Sequence, residues 1–195
     1  MACEGLIDDD ILYDCDNPAV GGIEVDVLLI NSDDIDRSAL TLSPTNKTHL
    51  TNFALKAGKT GYMIQGVKQV QGAQFELVEK ENGPNKFKHT FSGVVLNYSK
   101  ENKLQLQNMA EGNTFVAIVN LKWKGANNAD AFQVLGLSTG LALRTATWNT
   151  KENDGQVLFT LASLDGYEES KLPNSLLITD YATTLTAFNN KFIES

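Results

Sequence analysis

The sequence predicts a mainly β fold, a curved β-sandwich or barrel with one flanking α-helix at about residues 100–110. Three observations support this fold class. Apolar and polar residues alternate along several short segments, turn residues separate these segments in the carboxyl-terminal half, and one segment carries the signals that begin and end a helix. With 42% hydrophobic residues and four prolines among 195 residues, the chain is typical of one globular domain with or without extended arms.

The strands follow from alternation and from the turns between them. Gly21-Gly22 precedes a first strand at 24–30, and the mixed polar segment 31–60 predicts short strands and connections. Further strands are predicted at 62–70, 73–79, 86–98, 115–124, 132–137, 141–148 and 157–164, followed by a short apolar stretch at 176–178. The strands at 132–164, with turn signals between them, predict a β-meander.

The strand at 86–98 changes its apolar phase. Phe87 and Phe91 occupy odd positions, whereas Val94 and Leu96 occupy even ones, and Gly93 lies at the change. A glycine at such a switch favours a β-bulge or a barrel corner. We therefore expect strong curvature at this point.

One helix is predicted at residues 99–112. Ser99 is a favourable N-cap residue, Glu101 lies in the first turn, and Gly112 suits the position after the last helical residue. Leu106 and Met109 share a face with Ala110. This helix is the flanking element of the predicted fold.

Charge divides the chain into an arm and a body. Residues 1–36 contain eleven acidic residues and no lysine or arginine. The whole chain has a net charge of −8, so this segment carries more negative charge than the chain as a whole. We predict an acidic amino-terminal arm at 1–20, a β domain at 21–173 and a carboxyl-terminal arm at 174–195. An acidic segment on a near-neutral body argues against sequence-specific nucleic acid binding, but it suits a conduit through which DNA slides. A solubilising arm explains it equally well.

The sequence contains a fragment of a phosphate-binding motif. Residues 57–60 read Ala-Gly-Lys-Thr, as at the end of a P-loop. Phe53 occupies the position at which the first glycine of that motif is required, and no buried strand is predicted before it. We therefore predict no nucleotide site.

Other chemistry-bearing residues are too few or too scattered to predict a site. His49 and His89 are far apart, and His89 alternates with phenylalanines, as expected for a strand histidine with local partners. The two cysteines can form neither a disulfide framework nor a zinc site unaided. The amino-terminal acids lack the glycine and the distal glutamate of a calcium loop, and most aromatic residues occupy predicted core positions.

We predict no enzyme, no catalytic residue, no metal and no cofactor. These arguments favour a solvated acidic face over a calcium site for Asp8, Asp9, Asp10, Asp14 and Asp16, and reduced thiols over a metal site for Cys3 and Cys15.

Three stretches together resemble the major tail tube proteins of tailed phages, in the version found in phages of Bacteroidetes-type hosts. The first is the cysteine-containing start that runs into Cys-Asp-Asn-Pro-Ala-Val-Gly-Gly-Ile at 15–23. The second is the strand, helix and strand unit at 86–124. The third is Phe-Gln-Val-Leu-Gly-Leu at 132–137, followed by Gly-Leu-Ala-Leu at 140–143. The chain departs from this pattern in its long acidic start, in Pro18-Ala19 before the glycines, and in the tail after Pro173.

The resemblance implies a structural virion protein that assembles with itself. Subunits, six to a ring, would pair their sheet edges, and stacked rings would form a conduit for DNA. Its partners would be further copies, other tail proteins, and DNA only as non-specific cargo. The resemblance places the protein in the virion tail, and in the host cytoplasm during assembly.

Two alternatives belong to other classes of protein. A different tail or neck ring component, or the tube of a contractile injection system, would share the fold. A surface β-sandwich that binds glycan or protein is the second alternative, and it predicts a secretion signal and an exposed aromatic patch. The acidic start does not resemble a secretion signal, and no apolar stretch is long enough to span a membrane, so we expect no membrane partner.

Overall fold

A computed structural model describes residues 7, 9–67 and 70–193, and it confirms the mainly β fold. Within these residues the chain forms two β-sheets and two α-helices. The sheets pack as a sandwich with flanking helices and do not close into a barrel.

Eleven strands and two helices make up the described fold. The strands are β1 (Ile23–Asn31), β2 (Thr41–Leu42), β3 (His49–Asn52), β4 (Tyr62–Gln65), β5 (Gly72–Val78), β6 (Lys86–Val95), β7 (Phe115–Leu121), β8 (Phe132–Leu135), β9 (Ala142–Trp148), β10 (Val157–Ala162) and β11 (Asn174–Leu176). The helices are α1 (Lys100–Ala110) and α2 (Tyr181–Asn189).

Seven strands form the larger sheet, in the order β2-β3-β11-β8-β7-β1-β4. Its pairs are antiparallel except for β11 and β3, which run parallel. Strand β7 lies between β8 and β1, and residues 115–120 are buried on both faces. Alternation in the sequence places Phe115, Ala117 and Val119 on one face and Val116, Ile118 and Asn120 on the other; both faces are buried because the sheet is covered on both sides.

Four strands form the smaller sheet, in the order β5-β6-β10-β9, with every pair antiparallel. It consists of two hairpins, β5–β6 and β9–β10, joined side by side through β6 and β10. Each outer strand is seven residues long. The predicted meander is corrected here, because β8 belongs to the larger sheet whereas β9 and β10 belong to the smaller one.

The chain crosses between the sheets at residues 136–141, where two glycines allow a tight turn. Gly136 and Gly140 have φ angles of +72° and +80°, a region that favours glycine. One carboxylate oxygen of buried Glu169 accepts hydrogen bonds from the backbone N–H groups of Ser138 and Thr139 and from the Thr139 hydroxyl, at 2.8–3.0 Å. Because Gly136 ends β8, the predicted strand at 132–137 is two residues too long.

Two hydrophobic cores lie on opposite faces of the larger sheet. The core between the sheets contains Val27, Phe91, Val119, Phe159 and Leu161, among others. The second core lies on the far face of the larger sheet, beneath α2 and the 35–55 segment, and it contains Leu28, Ile30, Val116, Ile118, Phe132 and Phe188. Successive residues of β1 and β7 alternate between these cores, as strand geometry requires.

Helix α1 matches its prediction. The Ser99 hydroxyl accepts a hydrogen bond from the Asn102 backbone N–H at 3.2 Å, and Gly112 follows the helix with φ +93°. Leu106 and Met109 pack against the core between the sheets. The helix therefore covers one open end of the sandwich.

Helix α2 was not predicted, and it changes the interpretation of the carboxyl-terminal segment. The residues 174–195 were expected to form an arm, but β11 pairs with β8 and β3, and Phe188 and Phe192 are buried in the second core. Residues 174–193 are thus part of the domain. The Asp180 side chain caps α2 by accepting a hydrogen bond from the Thr183 backbone N–H at 2.7 Å. Its three threonines have low helix propensity, so tertiary packing stabilises the helix.

Gly93 serves packing and not a bulge. The pairing of β6 with β10 continues through this residue without a register shift, whereas β5 pairs with β6 only as far as Ser92. A Cβ at Gly93 would overlap Cζ of Phe159 and would lie 2.9 Å from a ring carbon of Phe91. The predicted bulge is therefore wrong at this position; the register shifts elsewhere, between Thr160 and Leu161 of β10 where it pairs with β9.

Other predicted strands are also shorter than expected: those at 86–98, 115–124 and 157–164 end two or three residues early, and the largest difference is at 62–70. The strand predicted at 62–70 ends at Gln65. Gly66 directs its backbone N–H to the Val25 carbonyl at 2.7 Å, and residues 68 and 69 lie outside the described part of the chain.

Residues 7 and 9–20 of the predicted amino-terminal arm form no helix or strand. The side chains of Ile7, Ile11, Leu12 and Tyr13 are between 74% and 90% exposed. A hydrogen bond ties this described part of the arm to the domain, from the Trp123 indole N–H to the Asn17 carbonyl at 3.0 Å.

Candidate assembly surfaces

The two outer strands of the smaller sheet are accessible edges of the domain. Strands β5 and β9 each pair on one side only. Residues 74–77 of β5 and 144–148 of β9 are exposed on both faces. An unpaired strand presents free N–H and C=O groups that can pair with another chain.

Strand β5 also presents apolar side chains. Phe75 and Leu77 are 49% and 54% exposed, and Phe75 contacts Phe87 of β6 edge to face, with ring centroids 6.1 Å apart. Alternation in the sequence places both residues on one face of the strand. They do share that face, but their end of the hairpin extends beyond the core, so both side chains are exposed to solvent.

The opposite face of the smaller sheet carries hydroxyls and charges of both signs. The pairing register places Thr145, Thr147, Thr160 and Ser92 on the face turned away from the core, and Glu76 lies directly opposite Lys88. Asp165 bonds both Lys88, at 3.3 Å, and Arg144, at 3.0 Å. Because carboxylates accompany these cations, the face offers little net positive charge to hold phosphate groups.

An exposed aromatic pair lies beside the start of α1. The rings of Tyr98 and Trp148 stack with centroids 4.6 Å apart and are 38% and 48% exposed. The Lys103 ammonium lies 4.4 Å from the centre of the Tyr98 ring. We call Tyr98, Lys103 and Trp148 the aromatic patch. The sequence pattern predicted core positions for most aromatic residues, and it did not predict this patch. The indication in the sequence was that Tyr98 and Trp148 each end a predicted strand, at 86–98 and 141–148.

The Gly-Lys-Thr fragment forms a turn that supports no nucleotide site. Gly58 has φ +73°, and the Lys59 ammonium pairs with the Asp34 carboxylate at 2.9 Å. Burial, the largest single effect, raises the pKa of Asp34, but hydrogen bonds from Asn31 and Lys59 and the charges of Lys59 and Lys56 together outweigh it and hold the pKa below its usual value. The lysine therefore serves an ion pair and not a phosphate.

His89 is buried and fully bonded. Its Nδ1 accepts the Gly136 backbone N–H at 3.1 Å, and its Nε2 lies 3.0 Å from the Lys171 carbonyl. Since Gly136 must donate, the ring proton lies on Nε2. Burial lowers the pKa of His89, while the charge of Glu169 acts in the opposite direction. This histidine ties β6 to the crossover turn and to the segment before β11.

The remaining candidate residues are not brought together. His49 lies in β3, and Cys15, Asp9, Asp10, Asp14 and Asp16 are in the arm, where Cys15 is exposed. Cys3 and Asp8 lie outside the described residues. Within residues 7, 9–67 and 70–193, no group of three or more His, Cys, Asp or Glu side chains could hold a metal ion.

No protein-family model matches this sequence, and neither the curated proteins nor the solved structures contain a significant match. In the part of the chain that the structure describes, no helix is both long enough and apolar enough to cross a bilayer.

Proposed function

We propose that this protein is a tail tube subunit of a phage, which assembles into stacked rings that conduct DNA. The observation that carries the proposal is the smaller sheet: four antiparallel strands whose two outer members, β5 and β9, are free and equal in length. The function of the protein therefore depends on its edges and not on a catalytic side chain.

The strand order is compatible with a closed ring. Directions alternate across the four strands, so β5 and β9 run in opposite directions. Rotation about a ring axis then brings β9 of one copy antiparallel to β5 of the next. The pattern of alternation continues from copy to copy, and closure leaves no free edge in this layer.

The size of such a ring suits a conduit. Six copies would contribute about 24 strands; with strands about 4.8 Å apart and tilted by about 40°, the backbone barrel would be about 48 Å across. Barrels of about 16–18 strands already enclose an aqueous channel. The hydroxyl-rich face of the smaller sheet would line this channel, and its balanced charges would let DNA pass without sticking.

The test combines sedimentation and negative-stain electron microscopy of the purified protein. We expect rings or tubes, and we expect Phe75→Asp combined with Leu77→Asp to yield monomers, because two carboxylates on the edge of β5 oppose strand pairing. Both side chains are about half exposed, so circular dichroism should show an intact fold. Leu104→Asp, which places the same charge on an exposed position of α1, is the matched control and should assemble.

The results also separate the alternatives. A wild-type protein that stays monomeric at millimolar concentration contradicts the proposal. Rings that never stack, even with the full arm present, favour a tail or neck ring component. A contractile injection tube would form the same stacks, and a sheath protein that binds them would identify it.

A further inference from the structure

The amino-terminal arm carries an apolar segment that its own domain leaves uncovered. Residues 11–13 read Ile-Leu-Tyr, and their side chains are 90%, 81% and 74% exposed. Three consecutive large apolar side chains at this exposure are typical of a segment that is buried against a partner. The segment lies between Asp9 and Asp10 on one side and Asp14 and Asp16 on the other, with no base in the arm.

The aromatic patch has complementary chemistry. Tyr98 and Trp148 expose ring surface, and Lys103 adds a cation that has no carboxylate within 4 Å in the described chain. The neighbouring Lys100 has only a loose, exposed pairing with Glu101 at 3.6 Å, which contributes little. An apolar peptide flanked by carboxylates would thus gain both apolar contact and charge pairing here.

Residues 11–13 do not lie on the patch of their own copy, because their side chains are 74–90% exposed. The Trp123 indole holds the arm at Asn17, so Tyr13, four residues away, can lie no more than about 14 Å from that point. Phe115 is the first residue of β7, and Trp123 lies two residues beyond its last residue. Eight residues of extended chain, about 26 Å, separate the two. The patch lies toward the Phe115 end, because Asn97, next to Tyr98, and Phe115 line the same cavity of about 910 Å³.

We infer that residues 11–13 of one copy dock on the aromatic patch of a second copy. The inference rests on the proposed self-assembly and specifies one of its contacts. Arm and patch lie toward opposite ends of β7, so the contact joins two different surfaces. A contact of this kind repeats in one direction and builds an open-ended stack unless rotation closes it into a ring. Because the edges of the smaller sheet close each ring, the arm joins one ring to the next.

Two full-length variants test the contact. The arm variant replaces Ile11, Leu12 and Tyr13 by serine, and the patch variant combines Lys103→Glu with Trp148→Ser. Each should form single rings and should raise the protein concentration needed for stacking by about tenfold or more. Leu104→Ser, on the same helix but outside the patch, should stack as the wild type does.

Mixing the two variants shows whether the contact joins different copies. Rings of the arm variant keep an intact patch, and rings of the patch variant keep an intact arm. An equimolar mixture should therefore form pairs of rings and no longer stacks. Tubes of normal length from either variant, or a mixture that behaves like its separate components, would overturn the inference while leaving ring formation intact.

A second measurement does not depend on ring formation. A synthetic peptide of residues 7–17 is titrated into the full-length arm variant, and Trp148 fluorescence is followed, with the patch variant as the blank for Trp123. We expect saturable binding that Lys103→Glu weakens about tenfold. If the wild type forms no rings but the peptide binds, the tube proposal fails and the contact stands; if the peptide does not bind at millimolar concentration, the contact fails.

Discussion

Replacement of Gly93 by alanine should destabilise the domain through its effect on one aromatic ring. The new Cβ would overlap Cζ of Phe159 and would lie 2.8 Å from Cε1 of the same ring. That ring is 2% exposed and packs edge to face with Phe91, with centroids 6.0 Å apart. Both rings are enclosed by the core between the sheets, so the Phe159 ring must move by about an ångström from its present position.

The magnitude follows from three contributions. Overpacking of a dense core costs about 1–3 kcal/mol, and loss of the edge-to-face geometry costs about 0.5–1.5 kcal/mol. Alanine in a strand recovers about 0.5–1 kcal/mol relative to glycine. We expect a net loss of about 2 kcal/mol, or about 4–8 °C in Tm for a chain of this size.

Urea unfolding followed by circular dichroism measures this loss, and a matched control is available in the neighbouring strand. Gly72 of β5 lies opposite Ser92, and a Cβ there would meet no atom within 4 Å. Gly72→Ala should leave stability unchanged or raise it by about 0.4–1 kcal/mol, because it restricts the unfolded chain.

A double-mutant cycle identifies the cause. Phe159→Leu should relieve the overlap at Gly93→Ala, so the two changes together should cost less than the sum of their separate costs by about 1 kcal/mol or more. If the cycle shows no coupling, or if Gly93→Ala is as harmless as Gly72→Ala, the packing explanation for this glycine is wrong.

Three further predictions concern stability. Burial holds the pKa of His89 below its ordinary 6.5, so the unfolded chain binds the proton more readily than the folded one. The contribution of neutral His89 to stability is complete above pH 6.5 and is lost as the pH falls toward the lower folded pKa. Urea midpoints should therefore decline between pH 8 and pH 5, and His89→Gln should flatten the decline. Gly140→Ala should cost about 3 kcal/mol in urea unfolding, since φ is +80° and the new Cβ would lie 2.5 Å from Cβ of Thr114; an unchanged midpoint would contradict this. Ser99→Ala should cost about 1 kcal/mol by removing the cap of α1, whereas Ser99→Asp, which keeps an acceptor, should retain most of that stability.

The predictable part of the fold rests on local signals. Alternation and turn residues predicted most strands of the two sheets, and Ser99 and Gly112 predicted α1 because caps are local chemistry. Helix α2 escaped prediction because Thr183, Thr184 and Thr186 favour other conformations. The burial of Phe188 and Phe192 in the second core, together with the Asp180 cap, stabilises it there.

The candidate assembly surfaces were less predictable than the strands that form them. Alternation placed Phe75 and Leu77 on one face of β5, but whether that face is covered depends on how far the opposite sheet extends. Likewise, Tyr98 and Trp148 are 50 positions apart in sequence, and they meet only because β6, α1 and β9 converge.

The sequence by itself determined that this chain is mainly β, that it has a capped helix at 100–110 and that its first 36 residues are rich in acidic residues, because these properties depend on neighbouring residues. Tertiary structure decided that strands 132–135 and 142–148 belong to different sheets, that residues 174–193 are part of the domain, and that Gly93 makes room for Phe159. These features depend on contacts between residues far apart in the chain, and they carry no local pattern from which they could have been read.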